Sequence, residues 1–346
     1  MLPKKVAVAM SGGVDSSVTA AILKGRYHQV IGITMLLHSG QDKGIVESTR
    51  KVADKLNIPI HTVDFSKLFE QRVITPFCNE YRQGRTPNPC IYCNKHIKFD
   101  ALLKKARQLG VDCLATGHYA RVIKSTNGYQ LLRGVDRSKD QSYFLYNLRQ
   151  HQLKNLIFPM GSLYKWQTKK IAKKLALNNS IRPESQDICF IPNGDYSSFI
   201  FNYAQSAPGY IIDTEGKILG KHKGLPGYTI GQRQGLGLDS NRRMYVIKLD
   251  AEKNILIVGG QEHLYRCNLN ASQLSWVSGQ PPLDELDDIT ARIRYRSPAV
   301  EVSLNINQDN AGVQFKKPQK AIAPGQSIVF YRGDFILGGG VIESPE

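Results

Sequence analysis

The sequence has no long apolar run, although hydrophobic residues make up 41% of its 346 residues. A membrane-spanning helix needs about 20 consecutive apolar residues, so the sequence predicts none. The first residues, Met1–Lys5, lead into an apolar stretch without the pattern of a signal peptide. We therefore expect a soluble, cytoplasmic protein with a large core and two or three domains.

Cysteine is also scarce, with six residues in the whole chain. So few thiols do not suggest a disulfide framework, and they are more typical of catalysis or metal binding. Cys90 and Cys93 form a Cys-x-x-Cys pair, but no second pair completes a zinc site, and no thioredoxin-like unit opens on it. Lys95 and Lys98 follow the pair and predict a lowered thiol pKa. An inert structural pair remains the alternative, and Cys189 alone fits either a nucleophile or a core residue.

Acidic residues are sparse in the first part of the chain. Residues 1–205 contain 30 Lys and Arg against 14 Asp and Glu, whereas residues 206–346 contain 16 against 15. The N-terminal part thus carries almost all of the net charge of +17, which favours a polyanionic partner through counterion release. Charge that only maintains solubility is the alternative. No aromatic–basic RNA-recognition motif occurs, so charge by itself is a weak indication of nucleic acid.

Two common phosphate-binding signatures are missing, the Walker-type Gly-Lys-Ser/Thr loop and the Gly-x-Gly-x-x-Gly loop. Instead, an apolar run leads into Ser11-Gly12-Gly13-Val14-Asp15-Ser16, followed by a helical pattern. Glycines allow a tight turn whose N–H groups face an anion, and a helix N-terminus adds positive potential. The segment resembles the pyrophosphate loop (PP-loop) of ATP pyrophosphatases, which implies cleavage of ATP between its α and β phosphates. An ordinary strand-to-helix turn is the alternative.

Strands alternate with helices in the first 200 or so residues, which predicts a parallel sheet covered on both faces. Ligands of such sheets lie beyond the carboxyl ends of the strands, where Met10, Met35 and the turn 116–118 fall. Taken alone, Met35 fits core packing better than ligand binding. A hairpin is predicted to turn at Asn127-Gly128. Helices are predicted at 45–56, 67–81, 95–109, 140–149, 165–177 and 195–204, with a break or kink at Pro76. The helix over 165–177 is very basic, which fits either a solvated face or a surface that contacts phosphates.

Short β-prone runs separated by glycine-rich turns follow from Pro208 onward. They predict a small β-rich domain and then a β-barrel. We predict an α/β fold with an N-terminal PP-loop domain over 1–205, a small β-rich central domain over 206–270 and a C-terminal β-barrel over 271–346.

Several further motifs occur in one order after the first loop. They are Gly84-Arg-Thr-Pro-Asn-Pro89, Cys93-Asn-Lys95, Ile97-Lys-Phe99, Ala115-Thr-Gly-His-Tyr119, Lys139-Asp-Gln-Ser-Tyr-Phe-Leu145, Ile188-Cys-Phe-Ile191, Gly231-Gln-Arg-x-Gly-Leu-Gly237 and Pro324-Gly-Gln326. With the PP-loop, this series resembles the tRNA-specific 2-thiouridylase (MnmA) family and its mitochondrial relatives over nearly the whole chain. The resemblance implies an adenine nucleotide α hydrolase-like N-terminal domain.

The resemblance implies an ATP-dependent tRNA sulfurtransferase. Members of the family activate C2 of the wobble uridine by adenylation and replace its oxygen with sulfur, releasing AMP and pyrophosphate. By motif match, ATP would be bound by Ala9, Met10, Ser11, Gly12, Gly13, Val14, Asp15, Ser16, Met35 and Gly117. Asp15 would also serve a Mg²⁺ ion at the pyrophosphate end. Cys189 would carry a persulfide, and Cys93 would release its sulfur and leave a Cys93–Cys189 disulfide bond.

The same resemblance implies contacts with the anticodon arm of tRNA. Asn88, Pro89 and Cys90 would surround the target base, and His118, Lys139, Asp140, Gln141, Tyr295, Arg296 and Gln326 would touch tRNA. A flipped base held in a pocket and an RNA recognised by shape and phosphates fit this picture. The sulfur would come from a cysteine desulfurase or a sulfur-relay protein. We expect a monomer without a membrane partner.

One position departs from the family pattern, because many members carry Asp where this chain has Cys90. With Cys93 and Cys189 it also resembles thiolases whose three thiolates hold a 4Fe–4S cluster. The persulfide route and the cluster route therefore both stay open.

Two other classes compete with this interpretation. A PP-loop ligase or amidotransferase that adenylates a small molecule needs no cysteine. A non-catalytic RNA-binding protein would have no use for intact Asp15, Cys93 and Cys189. Thiolation of unmodified tRNA in the presence of ATP distinguishes all three classes.

Overall fold

The computed structural model describes residues 5–27, 29–38, 42–177, 188–191, 196–203, 206–238, 243–282 and 286–345. Most of the segment 178–194, predicted to be irregular and polar, lies outside these ranges. Every helix within them is too short or too polar to cross a lipid bilayer.

The first sheet has five parallel strands in the order β3-β2-β1-β4-β7. They are β1 (Lys5–Met10), β2 (Gln29–Leu36), β3 (Ile60–Asp64), β4 (Cys113–Ala115) and β7 (Leu156–Ile157). The central strand is apolar on both faces because both are covered: Val6, Ala7 and Val8 are inaccessible to solvent. The predicted parallel sheet is confirmed.

Helices cover both faces of this sheet. They are α1 (Val14–Lys24), α2 (Asp42–Leu56), α3 (Ser66–Phe69), α4 (Thr75–Arg82), α5 (Pro89–Tyr92), α6 (Leu102–Gln108), α7 (Gln150–Leu153), α8 (Lys165–Lys174) and α9 (Tyr196–Tyr203). One core cluster packs α1, α2 and α8 against Val6 and Val8, and another packs α6 against Ala7 and Leu114.

Two pairs of short α-helices are joined into longer helical paths by π-helical turns. A π-helical turn at Glu70–Ile74 joins α3 to α4, and another at Cys93–Ala101 joins α5 to α6. The first lies just before Pro76, which has no N–H to donate, and the wider turn lets the helical path continue. The second places the Cys90-x-x-Cys93 pair at the start of one continuous helical path, six residues before the predicted start of the helix at Lys95.

The predicted helix over 140–149 is wrong, because only a 3₁₀ turn at Ser142–Leu145 forms there. The Asp140 carboxylate accepts hydrogen bonds from the backbone N–H groups of Gly134 (3.0 Å) and Ser142 (3.1 Å). A side chain that binds the backbone in this way competes with helix formation.

The central region forms a four-stranded sheet in the order β10-β11-β8-β9. Its strands are β8 (Gly209–Ile212), β9 (Ile218–His222), β10 (Tyr245–Asp250) and β11 (Ile255–Gly259). Ile211, Val246, Leu256 and Val258 form its buried core.

The C-terminal region is a closed six-stranded antiparallel barrel. Its strands are β12 (Tyr265–Trp276), β13 (Thr290–Arg292), β14 (Val300–Asn307), β15 (Asn310–Lys320), β16 (Ser327–Arg332) and β17 (Phe335–Pro345). Pairing of β12 with β17 closes the barrel. The predicted barrel is confirmed. The proposed boundary at 270/271 falls inside β12, a strand that the sequence analysis missed.

A hairpin from the first half of the chain extends the barrel. β5 (Ala120–Ser125) and β6 (Gly128–Arg133) form the predicted hairpin, but Ser125 pairs with Gly128, so the turn lies at Thr126-Asn127, one residue earlier than predicted. Gly128 begins β6 with a φ of +113°. Leu131 and Leu132 of β6 pair with Ile336 and Phe335 of β17. A hairpin of the α/β region and the barrel therefore form one continuous sheet.

Candidate active site

The predicted nucleotide loop is a tight turn between β1 and α1. Gly12 has a φ of +73°, in the left-handed region that favours glycine. A Cβ at this position would lie 3.0 Å from the Ser48 Oγ. The turn and its close packing both require glycine here.

Short hydrogen bonds inside the loop fix its shape. The hydroxyls of Ser16 and Ser17 donate to the Gly13 carbonyl at 3.0 and 2.9 Å, and the Ser11 N–H donates to the Ser16 Oγ at 3.2 Å. A Cβ at Gly117 would lie 3.0 Å from the Ser16 backbone nitrogen, so the end of β4 lies directly against the first turn of α1.

Met35 joins this group from the neighbouring strand. Met10 of β1 pairs with Thr34 of β2, which places Met35 beside the end of β1. It packs against two core clusters, one of which contains Cys93. The structure thus brings the predicted nucleotide residues, from Ala9 to Ser16 with Met35 and Gly117, to one edge of the sheet.

Asp15 has partners that the sequence analysis missed. The Lys165 ammonium, at the start of α8, donates to both carboxylate oxygens of Asp15 at 2.8 and 2.9 Å, and the Tyr119 hydroxyl donates to one of them at 2.9 Å. Lys165 is only 8% exposed, unlike the exposed Lys169 and Lys170 of the same helix. The basic run is therefore not uniform, because its first lysine faces the nucleotide loop.

The two thiols of the Cys-x-x-Cys pair lie in different environments. The Asn88 Oδ1 accepts a hydrogen bond from the Cys90 N–H at 3.1 Å and so caps α5. Cys90, in the first turn, is exposed, whereas Cys93 is buried in a cluster with Phe190 and Ile191. This cluster connects Cys93 with the segment that carries Cys189.

The three thiols lie within electrostatic range of one another. Burial raises the pKa of Cys93 to about 12, with smaller contributions from Cys189 and Cys90. Loss of hydration raises the pKa of Cys189 to about 11, although this residue is exposed, and the charge of Cys90 adds to the rise. Lys98 opposes the rise at both thiols and at Cys90, whose pKa is also raised by loss of hydration. The predicted lowering is therefore wrong, because desolvation outweighs the nearby ammonium.

Lys98 also connects the thiols to the end of β4. Burial, together with the charge of Lys98, holds the pKa of His118 well below its usual value. His118 directly follows Gly117, which lies against the nucleotide loop. The charge of Lys98 thus affects the pKa values of the thiols and of His118, next to the β4 turn.

The described side chains do not fit a resident metal centre. Within the described ranges, no three His, Cys, Asp or Glu side chains are grouped to hold a metal ion. As arranged, Cys90, Cys93 and Cys189 do not form the donor set of a cluster. Asp15, the residue predicted to serve Mg²⁺, is engaged by Lys165 and Tyr119.

A polar cleft separates this site from the barrel. Its walls are Asn88, Ile91, Tyr92, Lys95, Tyr146 and Asn147 on one side and Gln273, Gly325, Ser327 and Val341 on the other. The residues around Cys90 and Cys93 therefore face a space that the barrel helps to enclose.

Comparisons with known proteins agree with this architecture. A family model described as "tRNA methyl transferase HUP domain" matches residues 4–193, a "tRNA methyl transferase PRC-barrel domain" matches 197–260, and an "Aminomethyltransferase beta-barrel domain" matches 266–342. A protein of Carboxydothermus hydrogenoformans named tRNA-specific 2-thiouridylase MnmA is 47% identical, with 98% of each chain covered. The protein of the same name in Clostridium acetobutylicum is 43% identical over 98% of this chain and 99% of its own.

This chain belongs to the tRNA-specific 2-thiouridylase family. A solved structure of a U34-tRNA thiolase from Methanococcus maripaludis with its [4Fe–4S] cluster is more distant, at 19% identity and a TM-score of 0.36 over 57% of this chain and 62% of that chain. That likeness is too low to decide between the persulfide and cluster routes.

Some residues predicted from the 2-thiouridylase pattern to touch tRNA lie inside the protein. His118 is buried between Phe99 and Phe158 and shares a 2.7 Å hydrogen bond with the Thr116 hydroxyl. Asp140 is 3% exposed. In the described arrangement these two side chains support neighbouring groups, and their contacts with tRNA stay predictions.

Other residues predicted to touch tRNA lie where the α/β region meets the barrel. The Gln326 amide donates to the Thr86 carbonyl at 2.8 Å, and the Thr86 N–H donates to the Pro324 carbonyl at 2.7 Å. The Tyr295 ring packs on Phe144 with centroids 4.5 Å apart. Gln141 accepts a hydrogen bond from the Tyr119 N–H, Lys139 is half-buried, and Arg296 is exposed.

Proposed function

We propose that this chain uses ATP to adenylate C2 of the wobble uridine in tRNA and then replaces the C2 oxygen with sulfur carried by Cys189. The observation that supports this most is that Met35, beside the end of β1, packs against the same buried cluster as Cys93, Phe190 and Ile191. That cluster connects the sulfur chemistry with the sheet edge at which the nucleotide loop lies. Membership of the 2-thiouridylase family supplies the substrate class.

In the first step, the PP-loop holds the ATP phosphates at the N-terminus of α1, where backbone N–H groups and the helix dipole favour negative charge. The C2 oxygen of uridine attacks the α phosphorus, and the bond from that phosphorus to the bridging oxygen of pyrophosphate breaks. Pyrophosphate leaves, and AMP remains on the C2 oxygen. This converts a poor leaving group into a good one.

In the second step, the terminal sulfur of a Cys189 persulfide attacks C2 and AMP departs with its oxygen. The Cys93 thiolate then attacks the Cys189 sulfur, which breaks the persulfide S–S bond and leaves 2-thiouridine and a Cys93–Cys189 disulfide. Alternatively, Cys93 attacks first and releases sulfide, which then attacks C2. A cysteine desulfurase or relay protein supplies the persulfide, and a thiol reductant resets the disulfide.

The raised pKa values imply that the thiols are protonated at neutral pH in the arrangement described. We infer that Cys93 loses its proton as the segment carrying Cys189 and the target base come together beside Lys98. A positive charge next to a forming thiolate lowers the energy of that step.

The direct test is incubation of the protein with ATP, Mg²⁺, unmodified tRNA and a defined persulfide donor, followed by nucleoside mass spectrometry. We expect 2-thiouridine at the wobble position and one AMP for each sulfur transferred. AMP formation without any thionucleoside would indicate a different adenylating enzyme. Binding of tRNA without AMP formation would indicate a non-catalytic RNA-binding protein.

Cys90 allows a test between the two sulfur routes. On the persulfide route, Cys90→Ala keeps most of the thiolation activity, because neither Cys93 nor Cys189 is changed. Purification without oxygen should then give a protein free of iron and of visible absorption. Stoichiometric iron, lost together with activity in Cys90→Ala, would refute the persulfide route.

A further inference from the structure

Two arginines pack against one tyrosine ring where the hairpin meets the barrel. The guanidinium carbon of Arg133, at the end of β6, lies 4.1 Å from the centroid of the Tyr331 ring. The guanidinium carbon of Arg292, at the end of β13, lies 5.5 Å from the same centroid. Each contact is a cation–π interaction, in which the negative face of the ring attracts the guanidinium.

The positive charge of this cluster is only partly compensated. The nearest carboxylate recorded for Arg292 is that of Asp140, at 3.9 Å. Asp140 already accepts three hydrogen bonds, two from Ser142 and one from the Gly134 N–H. Burial and the charge of Arg292 lower the pKa of Arg133, and the charge of Arg137 adds to this effect. Like charges held together at low hydration are unfavourable without an anion between or beside them.

Both arginines also have hydrogen-bond donors without acceptors. The Nε–H groups of Arg133 and Arg292 are buried, and among the described residues neither has an acceptor. A buried donor without a partner loses its hydrogen bonds to water and gains none, so such groups are rare unless a ligand or a rearrangement satisfies them. A planar guanidinium with unused donors is suited to bidentate binding of phosphate.

We propose that the cluster of Arg133, Arg292 and Tyr331 binds a phosphate group of the tRNA backbone. The proposal rests on the proposed function. Asp140, which contacts Arg292, belongs to the segment Lys139–Gln141 that the family pattern predicts to touch tRNA. The cluster lies at the seam between the α/β region and the barrel. A phosphodiester bound there would position the RNA relative to the cleft lined by Asn88 and Lys95.

The test is the salt dependence of tRNA binding by the full chain. A protein–RNA phosphate contact contributes about 0.7–0.9 to the slope of log K against log salt concentration. We expect Arg133→Met and Arg292→Met each to weaken binding about tenfold and to reduce the slope by about one contact. Arg292→Lys keeps the charge but loses the planar fork, so we expect weaker binding with the slope retained.

Lys316→Met is the matched control, because this exposed barrel lysine pairs with Glu301 away from the cluster. It should leave both affinity and slope unchanged. If the arginine variants lose thermal stability but bind tRNA with wild-type affinity and slope, the cluster only fastens the hairpin to the barrel and the proposal is wrong.

Inorganic phosphate distinguishes the source of the ligand. At matched ionic strength, phosphate should weaken tRNA binding by the wild-type protein more than chloride does, and Arg133→Met should lose that difference. Stabilisation by phosphate combined with unchanged tRNA binding in the variants would assign the site to free phosphate instead. Thiolation by the wild-type preparation is measured in parallel, so failure of the proposed function is seen separately from failure at this site.

Discussion

The nucleotide loop and the thiol site are built in opposite ways. The loop residues from Ala9 to Ser16 are contiguous, and hydrogen bonds among Ser11, Gly13 and Ser16 fix their shape. At the predicted thiol site, Cys93 packs with Phe190, the neighbour of Cys189 far along the chain, and the nearby residues Asn88 and Ile91 line a cleft whose other wall is the barrel. Local geometry is therefore sufficient for the first site, whereas the second depends on how distant segments pack.

The largest expected effect separates the two chemical steps. Cys93→Ala and Cys189→Ala should each reduce formation of 2-thiouridine by more than about 100-fold, because the sulfur carrier or its partner is lost. Release of pyrophosphate in a single turnover should stay near wild type, since the nucleotide loop is unchanged. Cys267→Ala, at an exposed thiol of the barrel, is the control and should change neither step. Equal loss of both steps would mean that the two regions do not act separately.

The pH dependence should also differ between the regions. The pKa of Cys93 is raised to about 12, so the thiolate fraction rises about tenfold per pH unit below that value. Single-turnover sulfur transfer should therefore increase from pH 7 to pH 9, while pyrophosphate release changes little. Rapid-quench measurement of both products from one reaction checks this. A flat profile for sulfur transfer would indicate that Cys93 is already ionised in the complex.

Lys165 tests whether the nucleotide loop also depends on a distant residue. Lys165→Met leaves the half-buried Asp15 carboxylate without its ammonium partner. We expect the KM for ATP to rise about tenfold and the free energy of unfolding to fall by about 1–2 kcal/mol, less than for a fully buried pair. Lys169→Met, on the exposed face of the same helix, should change neither quantity. An unchanged KM for ATP would leave the ion pair with a structural role only.

Two glycines allow a matched test of the loop geometry. Gly12 and Gly110 have similar φ values of +73° and +68°, but only at Gly12 would a Cβ meet other atoms, at 3.0 Å. Both alanine variants should lose about 1 kcal/mol of stability from backbone strain. Only Gly12→Ala should also weaken ATP binding. Equal effects of the two variants on ATP binding would show that the close packing at Gly12 is not needed.

The smallest expected effect concerns the contact between the barrel and the segment that leads to Cys90. Gln326→Ala removes one hydrogen bond to the Thr86 carbonyl. We expect thiolation to fall about two- to fivefold, with pyrophosphate release unaffected, because one net hydrogen bond contributes about 1 kcal/mol. Gln326→Glu, which cannot donate to the carbonyl, should behave like the alanine variant.

Much of the fold was predictable because it rests on short-range patterns. The apolar strands, the glycine turn after Met10 and the hairpin between β5 and β6 each depend on neighbouring residues. The helix over 140–149 was predicted wrongly because the partners of Asp140 include Gly134, outside the helical window. Strand β12 was missed because many polar residues interrupt its apolar pattern.

In the candidate site, too, the features that depend on neighbouring residues were predicted, and those that depend on distant segments were not. The nucleotide loop was found from its own residues, whereas its partner Lys165 looked like one more lysine of a basic run until α8 was seen to pack against α1. The direction of the thiol pKa shifts was predicted wrongly, because Lys95 and Lys98 are visible in the sequence but burial is not.

By itself, the sequence determined the parallel sheet, the glycine turn between β1 and α1 and the family, because backbone conformation and motif order are properties of nearby residues. Only the tertiary structure decided which charges and thiols meet, how strongly burial opposes their ionisation, and that two arginines share one tyrosine ring. Electrostatic interactions and hydration depend on distance and solvent exposure in the folded chain, and these are set by packing between segments far apart in sequence.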